Sequence, residues 1–143
     1  MSVASPAFAA GAPIPARYSC DGADVSPPLT IANVPAEAVS LVLIVDDPDA
    51  PGATWDHWVA FDIPVTLAIA EGVGAIGTAG RNSWGDKTYG GPCPPSGTHR
   101  YFFKLYAISA DLGLPSGATK QQVEEVMAGQ ILAQAELIGL YSY

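Results

Sequence analysis

The chain has 143 residues, of which 49% are hydrophobic and 14% are charged, and its formal net charge is −8. This length and apolar content fit one folded domain, residues 1–143, and exclude an intrinsically disordered chain. Only six residues are Lys or Arg, too few to hold a nucleic-acid backbone or an anionic membrane surface by charge. No run approaches the roughly 18 to 20 consecutive apolar residues of a membrane span, so we expect neither a nucleic-acid partner nor a transmembrane segment.

The first ten residues end in a small-x-small pattern that resembles a signal-peptidase site. They lack a basic region, and Pro6 interrupts the stretch that would be the apolar centre of a signal peptide. We interpret this segment as a first strand and its lead-in, which predicts a cytoplasmic protein.

Three apolar runs are typical of buried β-strands. Residues 40–45 form a nearly continuous apolar run, residues 58–63 form a second that ends at Pro64, and residues 101–108 form a third that is rich in aromatic side chains. Between the second and third runs, residues 71–97 are rich in Gly and Pro and predict a long, shaped loop. Short strands joined by turns predict a mostly β domain.

Helix signals are confined to one region near the C-terminus. Thr119 opens a capping-box pattern, and the apolar residues that follow it recur at helical spacing. Gly129 is expected to end this helix. Residues 131–141 fit either a continued helix or a strand, because periodicity alone does not separate the two.

Cys20 and Cys93 are the only cysteines, and two isolated thiols form neither a disulfide framework nor a zinc-binding motif. The favoured interpretation is two buried thiols in a reducing cytosol. Two alternatives stay open: a Cys20–Cys93 disulfide, and a reactive Cys93 activated by the nearby His99.

The unusual chemistry lies in three segments, each at the end of a predicted strand. Residues 47–51 follow the first strand, residues 55–58 open the second, and residues 91–101 lead into the third. Because sequential strands are often adjacent, His57, His99 and the carboxylates near them are expected to converge at one rim of a sheet. Imidazole N–H groups donate to phosphate oxygens, and a nearby carboxylate fixes the imidazole tautomer or its charge. The pattern therefore predicts an anion pocket.

Seven segments match one protein family in order along the chain. They are IPARYSCDG at 14–22, VSPPL at 25–29, DDPDAP at 46–51, WDHW at 55–58, YGGPCPP at 89–95, GTHRYFFKLYA at 97–107 and GQILAQAEL at 129–137. The chain thereby resembles the phosphatidylethanolamine-binding protein (PEBP) family, in particular its bacterial and archaeal branch, often called Raf-kinase-inhibitor-like proteins. The resemblance implies an antiparallel, Greek-key-like β-sandwich with a few short peripheral helices.

The resemblance also implies which residues bind a ligand. The pocket is expected to be lined by Asp47, His57, His99 and Tyr101, with Asp49, Pro51, Trp55, Gly91 and Pro94 shaping its walls. Trp84 is expected to lie in the core or in the pocket wall, and Arg100 to form an ion pair on the opposite face of its strand. In the Pro-dense segment after the first strand, the Ala50–Pro51 bond is expected to be cis.

Three classes of function fit this pocket. We favour a small-ligand-binding protein, not an enzyme, that takes phosphate or a phosphorylated headgroup and needs no cofactor; a regulatory role is left open. The alternatives are an interaction protein that inhibits a kinase or a protease, and a phosphoesterase or hydrolase with His57 as base or Cys93 as nucleophile. Two His and one carboxylate also match a non-haem iron site, which the family resemblance disfavours. The ligand, any protein partner and a homodimer stay open.

Overall fold

The computed structural model describes residues 1–143 and consists of eight β-strands, one α-helix and a short 3-10 turn at Ala16–Tyr18. In chain order the elements are β1 (Ser2–Ala4), β2 (Leu29–Ala32), β3 (Ser40–Asp47), β4 (Trp55–Ile63), β5 (Ala68–Ile69), β6 (Thr78–Ala79), β7 (Thr98–Ile108), α1 (Lys120–Met127) and β8 (Ile131–Ser142). The three predicted strands are confirmed as β3, β4 and β7, and the predicted first strand as β1.

Two antiparallel sheets form the domain, which confirms the predicted mostly β, antiparallel fold. The smaller sheet has the order β1-β2-β5, and the larger has the order β6-β4-β3-β7-β8. All eight residues of the central strand β3 are buried, which explains why its sequence is a continuous apolar run rather than an alternating one. Since β4 and β7 both run antiparallel to β3, the carboxyl end of β3 meets the amino ends of its two neighbours.

The larger sheet is covered on both faces. On one face, Leu43, Val45 and Phe103 belong to a core of 19 buried residues shared with the smaller sheet. On the other face, Ile44 and Val59 belong to a core of nine buried residues shared with α1. Odd-numbered residues of β3 therefore face the sandwich interior and even-numbered residues face the helix, as the two-residue period of a strand requires. This alternation decides where the two adjacent Asp residues at the end of β3 point.

The α-helix begins and ends where the sequence predicted. The Thr119 side chain accepts a hydrogen bond from the backbone N–H of Gln122, and the Gln122 side chain accepts one from the backbone N–H of Thr119. This reciprocal capping box satisfies two N–H groups of the first turn. Gly129, with φ of +81°, follows the last turn. No helix has the length and apolarity needed to cross a membrane.

The segment that fitted both helix and strand forms β8. It pairs with β7 along almost its whole length. Ala133, Ala135 and Leu137, at every second position, pack on the core between the sheets. The two-residue period, together with the hydrogen bonds offered by the edge of β7, therefore decides the structure of this segment.

Cys20 and Cys93 form a disulfide with their Cα atoms 5.5 Å apart. The favoured interpretation, two buried free thiols, is therefore wrong, and no free thiol remains to act as a nucleophile. The backbone N–H of Cys20 donates to the carbonyl of Pro92 at 3.1 Å. This contact brings the two cysteines to the separation that a disulfide needs.

Candidate functional site

A cavity of about 650 Å³ opens at the rim where β3 ends and β4 and β7 begin. Eight of the nine predicted site residues are among the nineteen that line it: Asp47, His57, His99, Tyr101, Pro51, Trp55, Gly91 and Pro94. The strand register explains this convergence. Asp47 lies opposite Trp55 on β4, and its neighbour Asp46 lies opposite Phe102 on β7.

Asp49 is the exception, because it does not line the cavity. Its carboxylate accepts two hydrogen bonds from the Arg100 guanidinium and one from the Arg100 backbone N–H, all at 2.9 Å. The hydrogen bonds from Arg100 lower the pKa of Asp49 to about 2. The ion pair predicted for Arg100 is confirmed, and the wall position predicted for Asp49 is corrected. Asp49 instead fastens the loop after β3 to the start of β7.

The loop after β3 turns without a cis peptide bond. No peptide bond in the chain is cis, so the prediction for Ala50–Pro51 is wrong. Asp47 Oδ1 accepts the backbone N–H of Asp49 at 2.8 Å, which makes a local turn around Pro48. Gly52, with φ of +85°, continues the reversal. Because these contacts already reverse the chain, the Ala50–Pro51 bond keeps the trans isomer that X–Pro bonds prefer.

His57 reaches the cavity through a β-bulge in β4. Val45 lies opposite Trp58, but the next residue of β3, Asp46, lies opposite Asp56. His57 is therefore an extra residue with no partner on β3. A regular strand would place His57 and Trp58 on opposite faces. Because of the bulge, His57 lines the cavity while Trp58 packs in the core between the sheets.

His99 and Asp47 form a buried pair across β7 and β3. His99 Nδ1 and Asp47 Oδ2 are 2.6 Å apart, and the two side chains are 9% and 4% exposed. The second oxygen of Asp47 accepts the Asp49 N–H, so both carboxylate oxygens are occupied. The pair fixes the orientation of the imidazole and leaves its Nε2 without a protein partner.

His57 is anchored to a backbone carbonyl instead of a carboxylate. Its Nδ1 donates to the carbonyl oxygen of Gly90 at 2.7 Å. The ring packs edge-on against Trp84 and Tyr101, with centroid distances of 4.9 and 5.2 Å. Burial lowers the pKa of His57, and the carbonyls of Gly90 and Gly91 together with nearby carboxylates offset only part of this effect. The ring is therefore neutral at neutral pH.

Two polar atoms of the cavity wall are open to a ligand. The Nε2 atoms of His57 and His99 lack a hydrogen bond and are not sealed from solvent, so both are open to the cavity. The Tyr101 hydroxyl also lacks a hydrogen bond, but it is sealed, although its residue lines the cavity. The open set is therefore two imidazole nitrogens, with one buried, unpaired phenol in the same wall.

The phenol of Tyr101 is a donor at every physiological pH. Burial raises its pKa, and the negative charge of Asp47 raises it further. The backbone N–H of Cys93 points toward the Tyr101 oxygen without reaching hydrogen-bond geometry. A buried hydroxyl with no acceptor costs about 1 to 3 kcal/mol.

Adjacent glycines let the loop wall approach His57. A Cβ on Gly91 would collide with the Asp24 carboxylate, and a Cβ on Gly90 would collide with the Trp84 ring. Asp24 Oδ1 accepts the backbone N–H of Gly91 at 2.7 Å. Only glycine therefore permits this close contact, which fixes the Gly90 carbonyl where His57 uses it.

The mouth of the cavity has an aromatic rim formed by Trp55 and Trp84. The two rings meet edge-to-face with centroids 5.5 Å apart, and 37% and 46% of the respective residues are exposed. Asn82 holds the loop that presents Trp84: its side chain accepts the N–H groups of Trp84 and Asp86 and donates to the Thr88 carbonyl. Trp84 thus lies in the pocket wall, one of the two positions expected for it.

The sequence did not single out several other wall residues. They include the polar residues Asp24, Asn82, Asp86 and Thr88. Cys20 and Cys93 also line the cavity, joined by the disulfide that the sequence left open as an alternative. The available signal was the density of Gly and Pro in residues 71–97, which marked a shaped loop without assigning its side chains. None of the lining residues is Lys or Arg, and no group of three His, Cys, Asp or Glu side chains is arranged to hold a metal ion.

Comparisons with known proteins agree along the whole chain. The family model for phosphatidylethanolamine-binding protein matches residues 4–142. A UPF0098 protein of Methanothermobacter thermautotrophicus is 49% identical, and the alignment covers 99% of this chain and 98% of the relative. The crystal structure of a putative PEBP homolog, CT736 of Chlamydia trachomatis, superposes with a TM-score of 0.96 at 44% identity, covering 99% and 97% of the two chains. The structure of Escherichia coli YbcL, described as a new member of the mammalian PEBP family, superposes with a TM-score of 0.92 at 29% identity, covering 99% and 98%. The chain therefore belongs to the phosphatidylethanolamine-binding protein family.

Proposed function

We propose that this protein binds a small ligand through a phosphate group in the rim cavity and does not transform it chemically. One observation supports the proposal above the others: His57 Nε2 and His99 Nε2 open on one cavity and have no protein partners. Such a pair matches two of the oxygens of a tetrahedral anion. Because the chain has a net charge of −8, the anion must be held by these local groups and not by the overall field.

The charge of the cavity depends on the His99–Asp47 pair. An isolated carboxylate at the position of Asp47 repels a phosphate. When His99 is protonated, the pair is neutral, and Nε2 becomes a charged donor directed at the cavity. Hydrogen bonds to charged groups contribute about 1.5 to 3 kcal/mol, enough to hold an anion that the rest of the protein repels.

Titration calorimetry with inorganic phosphate and phosphoethanolamine tests the proposal. We expect binding to be tighter near about pH 6 than near about pH 8, because imidazoles gain protons in that interval. Replacement of one histidine, as His57→Ala or His99→Ala, is expected to weaken binding by about one to two powers of ten. Equal affinities for the wild type and both variants at both pH values contradict binding in this cavity. Turnover of a panel of phosphoesters, lost in the same variants, contradicts the non-catalytic part of the proposal.

A regulatory role, through inhibition of a kinase or a protease, stays a prediction. The exposed rim of Trp55 and Trp84 is the surface nearest the cavity on which a protein partner can act. Pull-down experiments with wild type and His99→Ala separate this role from ligand binding. A partner retained by the variant supports an interaction surface independent of the pocket.

The predicted cytoplasmic location is weakened by the Cys20–Cys93 disulfide. Reducing cytosols of mesophiles keep such thiols reduced, whereas oxidising compartments preserve the bond. Quantification of free thiols in protein taken directly from its own cells tests the location. Two reactive thiols after denaturation support a cytoplasmic location, whereas the absence of reactive thiols supports an oxidising compartment.

A further inference from the structure

The two histidines of the cavity are anchored differently, and the difference matters for the ligand. His99 donates from Nδ1 to a carboxylate, whose negative charge compensates a positive ring. His57 donates from Nδ1 to the carbonyl of Gly90. A carbonyl oxygen accepts but never donates a hydrogen bond. Nδ1 of His57 therefore holds a hydrogen in every state of the ring, and the neutral ring has its lone pair on Nε2.

The surroundings of His57 favour that neutral ring. From β3, the carboxylates of Asp46 and Asp47 favour the charged form, and from the loop the carbonyls of Gly90 and Gly91 do the same. From β7, the ring faces only the uncharged phenol of Tyr101, and no lysine or arginine lines the cavity. Burial outweighs all of these effects and lowers the pKa of His57.

The open Nε2 of His57 is consequently an acceptor, beside one open donor at the same cavity. The lone pair repels an unprotonated anionic oxygen but accepts a hydrogen that the ligand brings. His99 Nε2, in its charged form, donates to another oxygen of the ligand. The cavity thus offers one donor and one acceptor, a pair that does not match a fully deprotonated anion.

We propose that His57 makes this pocket selective for a phosphate group that retains one proton, so that its ligands are inorganic phosphate or phosphate monoesters in preference to phosphate diesters and sulfate. The proposal rests on the proposed anion-binding function. The P–O–H hydrogen of the monoanion is donated to His57 Nε2. A diester monoanion has the same charge but no such hydrogen, and sulfate has neither the hydrogen nor the matching charge.

Calorimetry with four probes tests the selectivity: inorganic phosphate, monomethyl phosphate, dimethyl phosphate and inorganic sulfate. Near about pH 6, where monoesters are partly monoanionic, phosphate and monomethyl phosphate are expected to bind at least about tenfold more tightly than the other two anions, the equivalent of one charge-assisted hydrogen bond. Near about pH 8, where the monoester proton is lost, monomethyl phosphate is expected to lose most of this advantage. Inorganic phosphate keeps one P–O–H hydrogen as the dianion, so it is expected to remain preferred over sulfate, which has the same charge at that pH.

Two matched variants assign the selectivity to one ring. In His57→Gln, the amide presents either a donor or an acceptor to the ligand, so the four probes are expected to bind with similar affinities. In His99→Gln, all four affinities are expected to fall while their ratios persist. Circular dichroism of both variants checks that the fold is retained.

The outcomes separate this inference from the function on which it rests. If all four probes bind the wild type equally well, the selectivity is refuted and the anion pocket stands. If phosphate is preferred but His57→Gln keeps the preference, the assignment to His57 is refuted. If no probe binds at either pH, the anion-binding function and the selectivity fail together.

Discussion

Asp46 and Asp47 are consecutive residues, yet they meet different cations on opposite faces of β3. Asp47 faces the cavity and pairs with one imidazole, that of His99. Asp46 faces α1 and pairs with two lysines, Lys104 at 2.9 Å and Lys120 at 3.2 Å. The strand period separates the two carboxylates, and the neighbouring elements supply each with its partner.

On the face of β3 that packs against α1, one lysine bridges two carboxylates. Lys120 also reaches Asp56 at 2.9 Å, and Asp56 lies directly opposite Asp46, where two like charges would repel each other. Burial lowers the pKa of Lys120, but the hydrogen bonds and charges of Asp56 and Asp46 raise it overall. The lysine is therefore always charged. On the cavity side, the partner of Asp47 is an imidazole instead of a lysine.

The largest effect on stability is expected from Lys120→Met. Its removal leaves Asp46 and Asp56 facing each other, with Lys104 as the remaining cation. Breaking a fully buried pair costs roughly 3 to 5 kcal/mol, and partial exposure reduces this to about 2 kcal/mol of unfolding free energy here. Urea denaturation measures the loss, and Lys87→Met, at an exposed lysine outside every ion pair, is the control. Phosphate affinity is expected to stay unchanged; a loss as large as that of His99→Ala would show that the two faces are coupled.

Asp47→Asn is expected to change the pH dependence of phosphate binding more than the stability of the protein. The amide has one oxygen, which the Asp49 N–H occupies, so its NH2 group faces Nδ1 of His99. That contact favours the tautomer with hydrogen on Nε2, which donates to a ligand without proton uptake. The pH dependence of phosphate binding is expected to flatten, with about 1 kcal/mol lost in stability. Calorimetry at two pH values measures the slope, and an unchanged slope means that His99 does not set it.

A smaller effect concerns the stability of the ligand-free protein in acid. Because the pKa of His57 is lower in the folded than in the unfolded state, the unfolded chain binds more protons as the pH falls below the ordinary histidine pKa of about 6.5. Stability from this group is therefore present above about pH 6.5 and is lost on acidification, by at most about 1.4 kcal/mol per pH unit. Urea denaturation from neutral to mildly acidic pH measures this, and His57→Gln is expected to show a shallower decline. Identical slopes would contradict a neutral, buried His57.

The smallest effect is expected from Asp49→Asn. Its partner Arg100 has an exposed side chain, and exposed ion pairs contribute about 0 to 1 kcal/mol. Phosphate affinity is expected to remain at the wild-type value, since the carboxylate lies outside the cavity. Calorimetry and thermal unfolding of the same sample check both expectations. A marked loss of phosphate affinity would show that Asp49 does belong to the binding site.

The sequence predicted the convergence of the site because each element contributes a simple pattern. β3, β4 and β7 are apolar runs, and the chemically unusual residues follow or precede them directly. Adjacency of sequential strands was then enough to bring His57 and His99 to one rim. For β8, the chain ILAQAEL suits a helix by intrinsic preference, and only the hydrogen bonds of β7 decide against it.

The finer geometry was beyond the sequence because it depends on contacts between distant residues. Nothing in the WDHW segment indicates that His57 is the extra residue of a bulge. The two carboxylates of the DPDAP segment look equivalent, and the guanidinium of Arg100 alone makes Asp49 structural. The disulfide depends on the approach of the Cys20 amide to Pro92, 72 positions away in the sequence.

The disulfide has a mechanical consequence. It closes a covalent loop over a sequence separation of 73, and this loop contains Asp47 and His57 but not His99 or Tyr101. A pulling force between the two ends of the chain is transmitted through the bridge, so the loop itself cannot be extended. The remaining residues, about 70, have a contour length of roughly 240 Å. In single-molecule extension the oxidised protein is expected to lengthen by no more than this, with β7 and β8 leaving the sheet while the loop stays closed. Of the nineteen residues that line the cavity, the fifteen from Cys20 to Cys93 are thus shielded from tension. The other four, which include His99 and Tyr101, belong to the part that force removes.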